Sequence, residues 1–534
     1  MGVAACVLAV FSAAALGEAA SAPAGATGKP IRADAAWQFS GDGGKTWLAA
    51  PPVVPGGKDV TLTARTTFTV PSPKRWAYWQ LTHGLRPRME MAFDLNGQAV
   101  AMPLKKMYYK AIPAIPAAAL AKGRNVLTVR IRIDNRPPRT DRSRDMADFR
   151  LPAPAERAAL VGQSVAFQTG PVLGAFGADW FSVTCRTNVP AAVTLTATGR
   201  PTDGAAAKPV KVQSPKGLYH RFRVPRAPSA TNLTYALQAV AGDQRAEVAP
   251  TAFSLPGPKA GADAKRPLRF IIMGDSRSRT DAWAKVAAAA HKEKPAFVVF
   301  TGDMCDSGPN DWQWDEHYFA PAAAKKLLAT VPFMPIKGNH EEDAAAFTEL
   351  FYTSSADGRA EHWAMTVGPV LVIGINGQWH AAYRRTYQWV DKTLAGSKAK
   401  FILLATHYPA YSSSGNGKLD SRGRPRHWAY QTGRKVIIPM LTKYKAAAMV
   451  CAHEHHYERS DLPGGLRQII AGSCGAPTSS RSRYAARQNP YAKVFVQTTN
   501  YALFEAAGTT CVFTAKDATG KVLDTLTFKA RKMD

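Results

Sequence analysis

The residues best equipped for chemistry fall in five short clusters in the C-terminal half of a 534-residue chain. They are Gly274-Asp-Ser-Arg277, Gly302-Asp-Met-Cys-Asp306, Gly338-Asn-His-Glu341, Thr406-His-Tyr-Pro409 and Ala452-His-Glu-His-His-Tyr-Glu-Arg459. Aspartate, asparagine and histidine supply the mixed oxygen and nitrogen donors that divalent ions take. Two such ions about 3.5–4 Å apart lower the pKa of a water between them and clamp an in-line displacement at phosphorus. That chemistry needs a carboxylate between the ions and a separate donor set for each. One Gly-Asp pair alone is usually a turn. Five clusters in this order, at domain-scale spacing, are a site.

Such residues need rigid elements to hold them. The runs Leu268 to Met273, Phe297 to Phe300, Phe333 to Ile336, Phe401 to Ala405 and Ala446 to Cys451 read as short buried strands, and a cluster follows each. Between them, 281–292 and 431–444 read as helices, and 312–329 as a helix broken near Pro321. Gly368-Pro369 joins 363–367 and 370–375 as a hairpin. Alternating strands and helices define an α/β domain, and ligands in open α/β sheets gather at the carboxyl ends of strands. His453 and His455 stand two apart beyond a strand end, so a loop must aim both inward.

With these motifs in place, the C-terminal domain, 266–534, resembles the calcineurin-like metallophosphoesterases. The tail His453-x-His455-x-Tyr457-Glu-Arg459 resembles their purple acid phosphatase branch. The likeness is specific at the motifs and covers roughly 266–480. It implies a four-layer α/β/β/α domain, two divalent or mixed-valence ions (Fe, Zn or Mn), and hydrolysis of phosphomonoesters by a metal-activated hydroxide without a phosphoenzyme. It also implies the ligands: Asp303 bridging, Asp275 and His455 at the first ion, Asn339, His407 and His453 at the second. His340 then contacts substrate and protonates the leaving oxygen, work suited to imidazole, or it is a satisfied turn histidine. Glu341, Glu458 and Arg459 are expected to orient ligands, Glu454 to point away from the metals, and His456 to lie at the surface.

Two departures from that pattern stand out. Where most of the superfamily has Asp-x-His in the first motif, this chain has Arg277, and a guanidinium cannot ligate a cation. Arg277 is therefore expected to bind substrate phosphate, the rival being an outward pair with Asp306. The purple phosphatases carry a Tyr three residues after the bridging Asp; here that position is Asp306. Asp306 replaces the lost ligand, caps the helix starting near Asp311, or closes a turn. Without the Tyr, no tyrosinate-to-iron band is expected, and the protein should not be purple. Arg422, Arg424, Arg426 and His427, in the long segment after His407, could line the substrate mouth.

The N-terminal half reads as all-β. Residues 35–158 are expected to form a galactose-binding-like sandwich, with an Asn96-Gly97 hairpin turn and the β-branched run Val60 to Val70. Residues 159–257 are expected to form a smaller fibronectin type III-like sandwich, similar to the domain preceding the catalytic one in purple acid phosphatases. One strand there is expected to end at Pro190. Pro256-Gly-Pro-Lys-Ala-Gly-Ala is a linker. The chain is thus multidomain, two all-β sandwiches followed by an α/β metallophosphoesterase domain.

The uncharged run Val3 to Leu16, followed by small residues, has secretory-signal length, so 1–22 is expected to be a signal peptide, the other reading being a buried helix of the first domain, and the protein is expected to be secreted or periplasmic. No apolar run reaches the roughly 20 residues of a membrane span. The five cysteines beyond the leader are scattered and odd in number, so they form no disulfide framework. A formal charge of +29 favours anionic partners. Phosphorylated small molecules or polymers fit that charge, with carbohydrate contact through the first sandwich as a further expectation. No basic run interleaved with aromatics marks a nucleic-acid groove. Rival readings are a phosphodiesterase or nucleotide hydrolase of the same fold, and a non-catalytic binding protein.

Overall fold

The computed structural model describes residues 29–49, 60–82, 91–100, 111–133, 158–200, 208–277, 279–342, 344–354, 361–376 and 383–532. The expected leader, 1–22, lies outside the described residues. Among them, no helix is long and apolar enough to cross a membrane.

The first domain is a sandwich of a four-stranded and a five-stranded sheet. Val60–Val70 pairs antiparallel with Gly123–Ile133 along its whole length. Alternation puts Leu62, Ala64, Phe68 and Val70 on the inner face with Leu127, Val129 and Ile131, against Trp79, Leu81 and Leu160 of the other sheet. Asn96 and Gly97 both take positive φ (56° and 81°), as a two-residue turn between twisted strands requires. The boundary expected at 158 moves. Ala159–Gln163 pairs with Tyr78–Thr82 and Ile31–Arg32, so it belongs to this sandwich, whose core Leu160 completes.

The next strands join in one hydrogen-bonded, five-stranded sheet rather than the two separate sheets of the expected sandwich. The reason is the length of Trp180–Arg200, which does not end at Pro190. Its first half pairs with Phe167–Phe176 and its second with Asn232–Ala241, while Val210–Pro225 follows both halves. The register with Val210–Pro225 shifts between Arg186 and Ala191, an irregularity where a proline fits. This sheet is bonded firmly to the C-terminal α/β domain. Arg186, 6% exposed, ion-pairs Asp315, Thr184 Oγ1 donates to Leu350 O (2.5 Å), and Tyr235 OH donates to Ala329 O (2.8 Å).

The C-terminal α/β domain holds two sheets. In the first, Phe333–Pro335, Phe297–Phe300 and Leu268–Met273 run parallel. The C-terminal strands Asn500–Ala507, Thr510–Asp517 and Val522–Lys529, which sequence patterning did not place, extend that sheet antiparallel from Leu268–Met273. The second, seven-stranded sheet is built around Val370–Ile375, Phe401–Thr406, Ala448–Cys451 and Arg467–Ala471. These strands are buried on both faces, hence their near-continuous apolar sequences. Phe270, Ile272 and Val299 pack with Val372, Leu403 and Val450 between the sheets. On the outer side, Ile271 and Phe300 pack against Trp283, Val286, Ala287 and Ala290, one face of the helix Thr280–Lys292. Ile373, Ile402 and Met449 pack on Val390 and Leu394 of the helix Tyr383–Ala395.

Candidate metal centre

The ligand-type residues stand where the parallel strands end. Asp275 follows Leu268–Met273, Asp303 follows Phe297–Phe300, His407 follows Phe401–Thr406, and His453 follows Ala448–Cys451. Local backbone turns them inward. Eight non-glycine residues have positive φ among the described residues, and four are here: Asp275 (58°), Arg277 (52°), Asp303 (58°) and His453 (67°). The left-handed region is unfavourable for such residues, and strain of this kind clusters at functional sites. Gly338 is needed for close approach, since a Cβ there would meet Asp303 Oδ1 at 2.2 Å.

Donor atoms of Asp303, His407 and His453 all lie within 4.8 Å of one another. Thr301 O can only accept, so His407 Nδ1 donates to it (2.7 Å) and Nε2 faces the site. His407 Nε2 and His453 Nδ1 are 3.2 Å apart, and Asn339 Oδ1 lies 3.1 and 2.9 Å from them. Two ring nitrogens and an amide oxygen thus face one point, the mixed donor set that a divalent ion takes. Burial disfavours a charged His407, but Asp303 beside it more than offsets this and pushes its pKa up to about 9. Burial and the His407 charge hold His453 well below the usual range.

The second half of the site is Asp275 and His455. His455 Nδ1 donates to Pro477 O (2.9 Å), and its Nε2 faces Asp275 Oδ1 at 3.5 Å. Asp275 Oδ2 accepts from the His453 backbone N–H (2.8 Å), whereas the buried Oδ1 accepts no hydrogen bond among the described residues. A buried carboxylate oxygen left without a donor is the position a metal ion would fill. The residues present therefore fit a metal centre.

The remaining candidates divide. His340 Nδ1 donates to Asp306 O (2.6 Å), which leaves Nε2 toward Asp303 Oδ2 at 3.8 Å. Arg277 reaches both carboxylates, through Nε to Asp306 Oδ1 (2.7 Å) and through NH1 to Asp303 Oδ2 (3.2 Å). Asp306 is thus engaged by a guanidinium and stands outside the Asp303–His407–His453 group, its side chain 45% exposed. Of the loop residues, His427 joins the site: its ring lies 4.9 Å from Tyr408 and 5.7 Å from His453. Arg422, Arg424 and Arg426 are exposed, and Arg424 pairs with Asp420.

Around the ligands, Glu341 accepts backbone N–H bonds from Asp303 (2.9 Å), Met304 (2.6 Å) and Gly338 (2.5 Å), tying two motif loops together. Burial and the nearby Asp303 push its pKa up to about 7. Glu454 points away from the ligands to Ser414 and Tyr430. Arg459 orients no ligand; it pairs with Asp461 and Asp524. His456 is not at the surface. It is fully buried, donates from Nε2 to Glu458 (2.9 Å), and lies over Phe495 at 4.4 Å. Sequence reading also missed Tyr408, whose ring is 4.6 Å from that of His453 and which stands directly after His407. The five described cysteines are buried and free.

Removing the Glu341 acceptor strands three buried N–H groups at about 1–3 kcal/mol each, not additively. Glu341→Ala is expected to cost about 3 kcal/mol or more, read as a lower melting temperature in calorimetry. An unchanged melting profile would remove Glu341 from its structural role.

Residues 268–457 match the calcineurin-like phosphoesterase family model. The chain is 28% identical over 111 residues to tartrate-resistant acid phosphatase type 5 from Sus scrofa, covering 21% of this chain and 29% of that protein. It is 28% identical over 172 residues to a probable glycerophosphodiester phosphodiesterase GpdQ from Arcobacter nitrofigilis, covering 31% and 58%. The chain thus spans less than two thirds of the length of these curated relatives. Among solved structures, the purple acid phosphatase PPD1 of yellow lupin (Lupinus luteus) superposes with a TM-score of 0.60 at 13% identity, covering 89% of this chain and 93% of the other. A structure of PhoD superposes with a TM-score of 0.51 at 13% identity, covering 69% and 93%. These two likenesses are of fold. Residues 268–457 thus carry a calcineurin-like phosphoesterase family-model domain, preceded by a β-rich N-terminal region.

Proposed function

We propose that this protein hydrolyses phosphate esters, phosphomonoesters foremost, at a two-metal centre in a four-layer α/β/β/α domain. The observation that carries this reading is the convergence of Asp303, His407 and His453 donor atoms within 4.8 Å of one another. Asp275 and His455 would hold one ion, Asn339, His407 and His453 the other, with Asp303 between. Such ions, when bound, supply Lewis-acid activation of water and neutralise charge on phosphoryl oxygens.

The chain's own residues supply the rest. Thr301 O and Pro477 O fix the ring orientations of His407 and His455, so each presents Nε2 inward. His340 is held by Asp306 O at Nδ1, so a proton carried at Nε2 faces the site and is available to the leaving oxygen. Arg277 holds a positive edge at the mouth, suited to phosphate oxygens.

The test is hydrolysis of a chromogenic phosphomonoester and a diester with defined metals, with and without chelator. Chelator-sensitive monoester hydrolysis is expected. No turnover of either ester with Fe, Zn or Mn would overturn the reading in favour of a binding protein. Likeness to a relative described as a glycerophosphodiester phosphodiesterase puts diesters in the panel. An iron-loaded sample should lack a tyrosinate charge-transfer band, because Asp306 stands where that tyrosine would be.

Export is part of the proposal, supported by the uncharged run Val3 to Leu16. N-terminal sequencing of natively expressed protein should find a start between Ala19 and Gly28; an intact Met1 would remove it. Carbohydrate contact through the first sandwich is checked by glycan binding of the whole protein.

A further inference from the structure

His453 and His455 flank a glutamate whose side chain turns the other way. Glu454 is fully buried, and each of its oxygens takes a hydroxyl. Tyr430 OH donates to Oε1 and Ser414 Oγ to Oε2, with Asn416 Nδ2 reaching Oε2 at 3.5 Å. Ser414 and Tyr430 stand at the two ends of one loop, the segment after His407 that carries Arg422, Arg424 and Arg426 exposed at its tip. A single carboxylate thus closes the base of that loop.

Each end is built to be held. Ser412, Ser413 and Ser414 are buried, and Glu458 accepts from Ser413 N–H (3.0 Å), Ser413 Oγ (2.7 Å) and Asn489 Nδ2. At the other end Tyr430 lies in the short helix Trp428–Thr432, which His427 caps by accepting at Nδ1 from Ala429 N–H (3.3 Å). The rings of Tyr430 and His427 are 5.0 Å apart, and that of His427 is 5.7 Å from His453. The end of the loop that packs on His453 is therefore also tied, through the Tyr430 hydroxyl, to the backbone between His453 and His455.

A buried carboxylate is costly unless hydrogen bonds compensate it, and bonds to a charged acceptor are stronger than neutral ones. Opening the loop takes donors away from Glu454, and closing it restores them. The turn that carries Glu454 must also hold still for His453 and His455 to grip an ion. Loop closure and ion binding stabilise one arrangement of one turn, so each strengthens the other by the same factor.

We propose that Glu454 is a positioning residue that couples metal binding at His453 and His455 to closure of the loop 414–430 at the substrate mouth. The proposal rests on those two histidines being metal ligands, as in the proposed function, but it does not require turnover.

Trypsin reports the state of the loop, because cleavage after Lys418, Arg422 or Arg426 needs the segment to open. The cuts are assigned by mass spectrometry in the full-length chain, freed of metal or loaded with Zn²⁺ or Mn²⁺. In the natural sequence, metal is expected to slow them about tenfold. Tyr430→Phe keeps the ring and loses only the hydroxyl, and Glu454→Gln keeps the shape and loses the charge. In either variant the slowing should shrink to about twofold or less. Calorimetric titration should then show metal affinity weakened by the matching factor, about fivefold, although neither side chain is a proposed ligand. A merely structural bond would lower the melting temperature and leave the metal effect on cleavage unchanged, and that result overturns the coupling. Metal uptake by the natural protein with no slowing of the cuts overturns it as well. Tyr430→Phe carries the test if Glu454→Gln fails to fold. Absence of metal uptake would remove the two-metal centre and the coupling with it, whereas coupling without ester turnover would remove the hydrolytic reading alone.

Discussion

Asp303→Asn is expected to lower kcat/KM for phosphomonoester hydrolysis about a thousandfold or more, on the order of 4 kcal/mol of transition-state stabilisation. Asparagine keeps the shape of the side chain and removes its charge. Asp303 is 1% exposed, and its two oxygens face different partners. Oδ1 lies 3.5 Å from His407 Nε2 and accepts from the His340 backbone N–H (3.0 Å), while Oδ2 lies 3.2 Å from Arg277 NH1. No other carboxylate among the described residues joins His407 and His453 in the ligand group. An amide offers one acceptor where two anionic oxygens are needed, so the variant should lose metal as well as activity. Elemental analysis beside steady-state kinetics checks both. A purified variant with activity near wild type would falsify the two-metal assignment.

The site was legible in sequence where chemistry restricts residue type. A metal ion demands particular donors, and an α/β sheet places them after strands, so the five clusters stand out by type and place, and it is the family resemblance that then implies Asp275, Asp303, Asn339, His407 and His453 as ligands. Residues that act through backbone atoms left no such mark. Thr301 and Pro477 orient two histidines with their carbonyls, which any residue could provide. Tyr408 and His456 were hidden for another reason. Their environments are made by distant segments, the His427 ring in one case, and Glu458 and Phe495 in the other. A lone polar residue beside a ligand reads as surface until those partners are folded around it.

The fold divides in the same way. Strands with strong alternation or a two-residue turn, such as Val60–Val70 and the Asn96-Gly97 hairpin, carry their signal locally. Trp180–Arg200 does not, because Pro190 breaks a local pattern that a register shift against Val210–Pro225 accommodates. Ala159–Gln163 is too short to declare its partner, and only pairing with Tyr78–Thr82 assigns it to the first sandwich. The three C-terminal strands are likewise placed by their antiparallel pairing from Leu268–Met273 outward.

Arg277→Ala is expected to keep both metal equivalents and to lose about 10- to 1000-fold in kcat/KM, roughly 1.4–4 kcal/mol for one charged contact to the transition state. The side chain is 20% exposed, anchored through Nε by Asp306, and reaches Asp303 through NH1. Burial works against its charge, yet Asp306 and Asp303 more than offset that and hold it above the ordinary arginine range. Asp303 and Asp306 hold this cation beside a centre that would take divalent ions, and the phosphoryl oxygens of a bound ester, whose charge grows during transfer, would give it a further anionic partner. Asp306 then acts as the anchor that aims the guanidinium. Arg277→Lys should recover only part of the loss, because an ammonium cannot grip two oxygens in a planar fork. Inhibition by inorganic phosphate should weaken in parallel with kcat/KM, since the same oxygens are held. A rival role, in which Arg277 merely balances Asp306, leaves phosphate inhibition intact and shifts metal content instead. Unchanged kcat/KM in Arg277→Ala, or the loss of one metal equivalent, would sink the phosphate contact.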